Sequence, residues 1–540
     1  ARSLSGPAMR CVDLVLGAAL AFAGMGALAA ADPNAAGRAL YEGHWSGDAR
    51  VTSSAGRSLS AAAGACVSCH RPSGLGSFEG GVVVPPIAGS FLTEAYDPAT
   101  SDRFPWPAAY RKRPAYTAAS FARLLAEGIA PDGYRVSSLM PRVRMSDDEA
   151  SGLYAYLAGL SSQTAPGVTD TTVVFATITT PEVPEAERAQ LLRVLETFFA
   201  EKNALTRAEP QRRAQAIRTQ YVMYRRYRTW RLVHWALTGP PSTWRAQLQA
   251  HYAREPVFAV LSGIGYDTWA PIHEFCEDAK LPCLLPSAAM PPAQEGFYSV
   301  YFSRGLGAEA AAVAQYRRET GDALPLQVWT ADDAFGRRQA DVMRAALHDG
   351  AVAPPAAAAP AYAVVAAGSW DQIAARDRAA QSESGRRPER LYVLASGLAD
   401  PTPAAMPEAL RGRVIVIGGE DLGTSGQQRL ARAQAWLSSR HLAHGHERIG
   451  AQALFVATLA VESLLHVDER FSREYCVEKI EHNLENMPPL TAFPRLSIGP
   501  GQRFAAKLVA AWRFDQTAVL AHDWSTVDSM SDPGGAQRPD

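Results

Sequence analysis

The sequence feature that most constrains the fold is the pentapeptide Cys66-Val67-Ser68-Cys69-His70. Two cysteines three positions apart can each form a thioether to one porphyrin, and the histidine that follows can ligate the iron. Half of a zinc site or a redox Cys-x-x-C motif is the alternative, but zinc needs a second ligand pair and the next cysteine is Cys276. The motif predicts one covalent haem c, with thioethers at Cys66 and Cys69 and His70 as an axial ligand of the iron.

The first residues predict an exported protein. Met9 and Arg10 precede an apolar run over residues 12–31 that ends in small side chains, as in a secretory signal peptide. No later stretch has the roughly 18 consecutive apolar residues of a membrane span. We therefore expect no membrane span after signal removal and place the protein in the periplasm of a Gram-negative bacterium, because c-type haem is attached outside the cytoplasm. The net charge of -1 gives no reason to expect a nucleic-acid partner.

The length of 540 residues predicts two or three domains. We divide the chain into a signal peptide with upstream residues (1–31), a first domain (32–163), a second domain (164–524) and a disordered tail (525–540).

The second axial ligand of the predicted haem is expected after the pentapeptide. Met140 lies before Pro141 in a loop between two predicted helices, and a thioether is a soft iron ligand. Met145 is the alternative, but it precedes Ser146, which has the character of a helix N-cap. Met140 is therefore the predicted second ligand.

Residues 34–162 resemble a class I cytochrome c. The resemblance rests on an N-terminal helix, the pentapeptide, Pro85-Pro86, Met140-Pro141 and a final helix with tyrosine and leucine. It implies an all-α domain whose low-spin, six-coordinate haem carries one electron at a time. In small c-type cytochromes a proline carbonyl accepts a hydrogen bond from the axial histidine, which fixes the ring. Pro86 is the expected acceptor and Pro85 the alternative.

From residue 171 onwards, predicted strands alternate with predicted helices, as in a parallel sheet covered by helices. This part is too long for one such sheet, so two lobes are expected. The segments 286–294 and 418–423 are the predicted crossings between them. Ligands of such sheets bind beyond the carboxyl ends of the strands.

Four pieces of this region, residues 259–263, 271–273, 282–287 and 329–336, resemble type I periplasmic binding proteins of the branched-chain amino-acid-binding group. The resemblance covers about residues 170–515. It implies a two-lobed α/β fold, of the kind that serves ABC transporters as the substrate-binding component, with a small organic ligand. By analogy, the expected ligand-binding residues are Ser262, Tyr266, Ser287, Trp329, Asp333, Phe335 and Glu420. The region departs from the family at its start, which lacks the glycine-rich opening of amino-acid binders.

Cys276 and Cys283 lie at the end of one predicted helix and in the next predicted strand. Export makes a disulfide between them plausible, and free thiols are the alternative. Cys476 would then be unpaired and buried.

The sequence contains no recognisable catalytic constellation, so we expect an electron carrier and binding protein and not an enzyme. The predicted function is a periplasmic c-type cytochrome fused to a small-molecule-binding domain. A periplasmic dehydrogenase would donate electrons, and a downstream cytochrome or oxidase would accept them. The alternative is a ligand-binding or redox- or gas-sensing protein whose main activity lies in the binding domain, as in the substrate-binding component of an uptake system.

Overall fold

The computed structural model describes residues 34–45, 50–79, 81–97, 111–205, 228–347, 361–443, 445–465, 467, 471–488, 490–514 and 519–524. The predicted signal peptide (1–31) and the predicted disordered tail (525–540) lie outside these residues.

The N-terminal module, residues 34–162, is built from short helices around a small apolar core. Its helices are α1 (Ala35–Tyr41), α2 (Ala61–Gly64), α3 (Cys66–His70), α4 (Ser90–Thr93), α5 (Ala118–Glu127) and α6 (Asp147–Gly159). Thr117 and Ser146 each form a capping box that starts α5 and α6, because their hydroxyls satisfy backbone N–H groups of the first turn. The core joins leucines of α1, α5 and α6, among them Leu40, Leu125 and Leu153.

This module is not all-α, which corrects that part of the fold prediction. It also contains β1 (Arg50–Thr52), β2 (Ser77–Glu79), β3 (Val82–Val84) and β4 (Arg142–Arg144). Strand β1 pairs with β4 and β2 with β3, both antiparallel. In the first pair, Val51 and Val143 lie opposite each other and are both buried. Burial of these two β-branched side chains favours extended backbone at positions that helix periodicity does not reveal.

Lobe I, the first half of the larger region, has a sheet in which every strand pairing is parallel. Its strands are β5 (Thr172–Thr179), β6 (Thr229–Ala236), β7 (Ala259–Leu261), β8 (Ile264–Thr268), β9 (Cys283–Leu284), β10 (Ser287–Met290) and β11 (Ser299–Val300). Its helices are α7 (Glu185–Leu205), α8 (Trp244–Arg254), α9 (Ala270–Asp278), α13 (Thr424–Ser439), α14 (Glu447–Leu464) and α15 (Arg473–Asn486). The central strands β5 and β7 are buried on both faces, as expected for a parallel sheet between helix layers.

Lobe II has a six-stranded sheet in the order β12 to β17. Its strands are β12 (Leu326–Trp329), β13 (Ala363–Ala366), β14 (Arg390–Leu394), β15 (Val414–Gly418), β16 (Val509–Phe514) and β17 (Val519–Trp524). Its helices are α10 (Gly305–Thr320), α11 (Ala334–Leu347) and α12 (Trp370–Ser384). The first four strands are parallel, and β16 and β17 join them antiparallel.

Among the described residues, the chain crosses between the lobes three times. The crossing segments are residues 301–304, 419–423 and the stretch between α15 and β16. The predicted crossing at 418–423 is confirmed, whereas the one at 286–294 is wrong. Ser287 pairs with Ile264, so this segment adds a strand to lobe I before the chain leaves it.

The two-lobed α/β fold expected from the resemblance is thus present. No helix within the described part of the chain is both long and apolar enough to cross a bilayer.

Candidate functional site

The two lobes meet at the carboxyl ends of their parallel strands. Asp267, in β8 of lobe I, forms an ion pair with Arg338 of lobe II, with 2.8 Å between Oδ1 and Nε. Arg448, near the start of α14 in lobe I, donates from Nη1 to the carbonyl of Leu398, at 2.5 Å, just beyond β14 of lobe II. Ligands of parallel sheets bind at this edge, so the residues between these two contacts form the candidate site.

Tyr266 is held by two glutamates of lobe I. Its hydroxyl donates to Glu187 at 2.6 Å, and its backbone N–H donates to Glu182 at 2.8 Å. Burial raises the pKa of Glu187. Burial and the adjacent Glu187 carboxylate raise the pKa of the Tyr266 phenol well above its ordinary value, so the phenol stays protonated and acts as a donor.

Arg448 is the cation at the centre of the site. Its Nε lies 2.8 Å from Oε2 of Glu420, which is almost fully buried. Gln452, one turn further along α14, donates to the other oxygen of Glu420 at 3.0 Å. Because an unpaired buried carboxylate is costly, these two side chains hold Glu420 in place at the second crossing.

Glu309 brings a fourth carboxyl group to the site from α10 of lobe II. It accepts hydrogen bonds from the hydroxyl of Ser396 at 2.7 Å and from the backbone N–H of Ser396 at 3.1 Å. Burial raises the pKa of Glu309 to about 7. This carboxyl group therefore titrates near neutral pH at the end of the lobe II sheet.

The site as a whole is acidic. We call it the interlobe cluster, and its members are Glu182, Glu187, Tyr266, Glu309, Glu420, Arg448 and Gln452. The Arg448 guanidinium is the cation near Glu187, Glu309 and Glu420, while Arg338 pairs with Asp267 and also lies near Glu182. Carboxyl groups therefore outnumber the two arginines. Such an arrangement favours a guest that carries a positive charge or several hydrogen-bond donors.

Among the sequence-predicted ligand residues, Tyr266 and Glu420 belong to the interlobe cluster. Phe335 and Tyr266 both pack against the edge of the lobe II core. The backbone N–H of Ser287 donates to Gly263 at 2.8 Å, which ties β10 to the end of β7. Binding roles for these four residues stay predictions.

The other three predicted ligand residues make contacts that belong to the fold itself. Ser262 is buried with φ at 57°, and its backbone N–H donates to Leu284. Trp329 is buried in a lobe II core cluster. Asp333 is exposed and accepts the N–H of Gly336 at 2.7 Å, which caps α11. A core contact accounts for the position of Trp329 and a helix cap for that of Asp333, and binding roles for these three residues also stay predictions.

Sequence reasoning missed five members of the interlobe cluster: Glu182, Glu187, Glu309, Arg448 and Gln452. Two of them carry a signal that could have been read: Glu309 lies among the alanines of α10, and Gln452 lies in the apolar run of α14. A single polar residue on an otherwise apolar helix must find a partner when buried. Arg448 has no such signal, because its partners are distant in sequence.

The pentapeptide of the N-terminal module forms the short helix α3. His70 is buried, and its Nδ1 lies 2.9 Å from the carbonyl oxygen of Pro85. The favoured acceptor Pro86 is thus wrong and the alternative Pro85 is right, because Pro85 directly follows strand β3, which runs back past α3. Burial lowers the pKa of His70 to about 4, so the ring is neutral at pH 7.

Cys66 is partly buried and Cys69 is exposed, and both are free thiols. Burial raises the pKa of Cys66 to about 12. Met140 and Met145 are both half-buried and pack against the core that Cys66 also borders. Packing therefore does not separate Met140 from its alternative.

Cys276 and Cys283 are adjacent and buried but are free thiols, not a disulfide. Their side chains form a hydrogen bond, and burial raises the pKa of Cys276 well above its ordinary value. The predicted disulfide is therefore absent from this structure, in which the pair packs as small apolar side chains in the core of lobe I.

Helix α15 connects the N-terminal module to lobe I. Glu478 accepts the hydroxyl and the backbone N–H of Ser73, both at 2.7 Å. Glu481, three residues further on the same face of the helix, forms an ion pair with Arg71. None of these four residues was singled out from the sequence, because the partners are separated by about four hundred positions.

Glu478 should make this contact dependent on pH. Burial raises its pKa to about 8, above the value of about 4.3 expected in the unfolded chain. The folded state therefore binds the proton more tightly, and the associated stabilisation is complete below about pH 4.3 and is lost as pH rises through 8. We expect Glu478→Gln, which cannot ionise, to flatten the decline in melting temperature over this range, measured by circular dichroism.

Glu485→Gln is the matched control for that measurement. Glu485 lies on the same helix but is about half-exposed in an ion pair with Arg495. The melting temperature of Glu485→Gln should therefore depend on pH as that of the wild type does. Equal slopes for wild type and Glu478→Gln would contradict the prediction.

The comparisons with known proteins concern the larger region. A scan against protein-family models and a search of curated proteins each found no match. Solved structures similar to the chain include a leucine-binding protein of Thermotoga maritima, with 13% identity and a TM-score of 0.46 over 66% of this chain and 99% of that one. Another is a branched-chain amino acid ABC transporter protein of Thermus thermophilus with bound valine, with 10% identity and a TM-score of 0.47 over 67% and 98% of the two chains. Such low scores carry no argument about ligand or partner.

The prediction of one covalent haem c is overturned. Within the described residues, no group of three or more His, Cys, Asp or Glu side chains could hold a metal ion. No cofactor is therefore assigned, and electron transfer with redox partners loses its support.

Proposed function

We propose that the chain is an exported binding protein whose two lobes hold a small organic molecule and pass it to an ABC-type uptake system. The observation that supports this proposal is the interlobe cluster, which draws residues from both lobes and from a crossing segment to the carboxyl ends of two parallel sheets. A hinged pair of lobes with polar groups between them can close over a guest and release it again.

Within this proposal, a first domain (32–163) precedes the binding domain (164–524), and the protein acts in the periplasm. The resemblance of the sequence to the branched-chain amino-acid-binding group makes leucine, isoleucine and valine the first probes. The surplus of carboxylates in the interlobe cluster widens the choice to small amines, because each guest should present an ammonium group to Glu187 or Glu309.

The test is a ligand screen of the full chain by thermal shift, followed by calorimetric titration of any compound that raises the melting temperature. For such a compound, we expect Glu187→Gln to weaken binding by about tenfold or more, because a hydrogen bond to a charged group contributes about 1.5–3 kcal/mol. Glu196→Gln is the matched control, since Glu196 lies on the same helix α7 but is exposed.

Two outcomes would count against the proposal. A panel of branched-chain amino acids and small amines that leaves the melting temperature unchanged would remove the binding function. A ligand whose affinity is the same for the wild type and for Glu187→Gln would place the binding site elsewhere.

A further inference from the structure

We propose that helix α15 couples the N-terminal module to the crossing segments of the binding domain through Glu481. The seating of the N-terminal module would then control how freely the lobes open and close. The consequence for ligand binding rests on the proposed function, whereas the mechanical coupling does not.

The first link joins the N-terminal module to α15. Arg71 directly follows His70 and has φ at 66°, and its backbone is fixed from two sides. Its N–H donates to the carbonyl of Val67 at 3.0 Å, and its carbonyl accepts the hydroxyl of Tyr41 at 2.5 Å. The guanidinium group of Arg71 pairs with Oε2 of Glu481. The position of α3 therefore determines where this charge is presented.

The second link joins α15 to a crossing segment. The other oxygen of Glu481 pairs with Nη1 of Arg503, whose side chain is only 2% exposed. Nε of Arg503 also donates to the carbonyl of Gly296 at 3.3 Å, and its guanidinium group lies 4.8 Å from the ring centre of Phe297. A buried carboxylate shared by two arginines is held from both sides, so the loss of either arginine leaves one of its oxygens without its partner and frees the carboxylate to shift toward the other arginine.

The third link is the backbone of Arg503 itself. Its carbonyl accepts the N–H of Tyr301 at 2.9 Å, and the carbonyl of Tyr301 accepts the N–H of Ala505 at 2.9 Å. The carbonyl of Phe302 accepts the N–H of Ala506 at 2.7 Å. These bonds fasten the first crossing segment to the third. Arg503 thus contacts Glu481 through its side chain, and through its backbone it joins the first and third crossing segments, about which the lobes would rotate.

A second contact between the module and α15 provides an internal comparison. Ser73 binds Glu478 on the same face of the helix, but no hydrogen bond or ion pair described for Glu478 leads on to a crossing segment. Loss of the Ser73 hydroxyl should therefore loosen the module locally. Loss of the Arg71 charge should also weaken the backbone hydrogen bonds donated by Tyr301, Ala505 and Ala506.

The experiment is hydrogen–deuterium exchange of the full chain without ligand, read on peptides that cover residues 297–306 and 500–508. We expect Arg71→Gln to accelerate exchange of the bonded amides in these peptides by about fivefold or more, the lower end of typical coupling between sites. Ser73→Ala, and Arg123→Gln at an exposed ion pair of α5, should leave both peptides unchanged.

If Arg71→Gln fails to fold, Glu481→Gln tests the same link from α15, because its amide retains the size of the side chain and removes the charge. Unchanged exchange at both peptides in the folded variant would overturn the proposal, as would equal acceleration by Ser73→Ala. Because no ligand is used, coupling can be established even if the ligand screen fails, and a ligand can be found even if coupling is absent.

Discussion

Arg448→Gln is expected to lower the free energy of unfolding by about 3–5 kcal/mol, which is the usual cost of removing one partner from a buried ion pair. Glu420 is only 4% exposed and would be left with Gln452 as its remaining described side-chain partner. The neighbouring carboxylate of Glu309 would add repulsion. Urea unfolding followed by tryptophan fluorescence measures this change.

Two further variants test whether loss of the buried ion pair causes this change in stability. The double variant Arg448→Gln with Glu420→Gln should recover part of the loss, because it leaves no buried charge without a partner. Arg245→Gln should cost less than about 1 kcal/mol, because the ion pairs of Arg245 with Glu274 and Asp278 are exposed to solvent. A double variant less stable than the single one would show that the ion pair is not the reason for the effect.

Gly263→Ala is expected to lower the free energy of unfolding by about 2–5 kcal/mol, from backbone strain and overpacking together. Gly263 has φ at 132°, and a Cβ there would lie 2.8 Å from the carbonyl oxygen of Ile178 and 3.1 Å from the ring of Trp269. Neither neighbour can yield easily, since Ile178 lies in the central strand β5 and Trp269 is fully buried. The same unfolding assay applies.

Gly307→Ala is the matched control for Gly263→Ala. Gly307 lies inside α10, and its new methyl group would have only an ordinary contact, 3.7 Å from Val342. Alanine should therefore be neutral or stabilise the helix by up to about 1 kcal/mol. If Gly263→Ala were as stable as Gly307→Ala, backbone strain at the end of β7 could not be important for the site.

Gly263 also shows which structural features can be predicted from the sequence and which cannot. Residues 259–263 are one of the pieces on which the resemblance to binding proteins rests, and the structure places Ser262-Gly263 directly after strand β7. Its unusual backbone is decided by the approach of β5 and Trp269, which no local pattern encodes. The same holds for Pro85, which contacts His70 because β2 and β3 form a hairpin.

The sequence by itself determined the alternation of strands and helices, the division of the larger region into two lobes and the crossing at 418–423. These features follow from hydrophobic periodicity and turn residues, which act over a few neighbouring positions. Only the tertiary structure decided that Glu420 meets Arg448, that Glu309 meets Ser396, and that Arg71, Glu481 and Arg503 form one chain of charges. Such pairs are set by the packing of whole elements, and a charged side chain in the sequence carries no mark of a partner tens or hundreds of residues away.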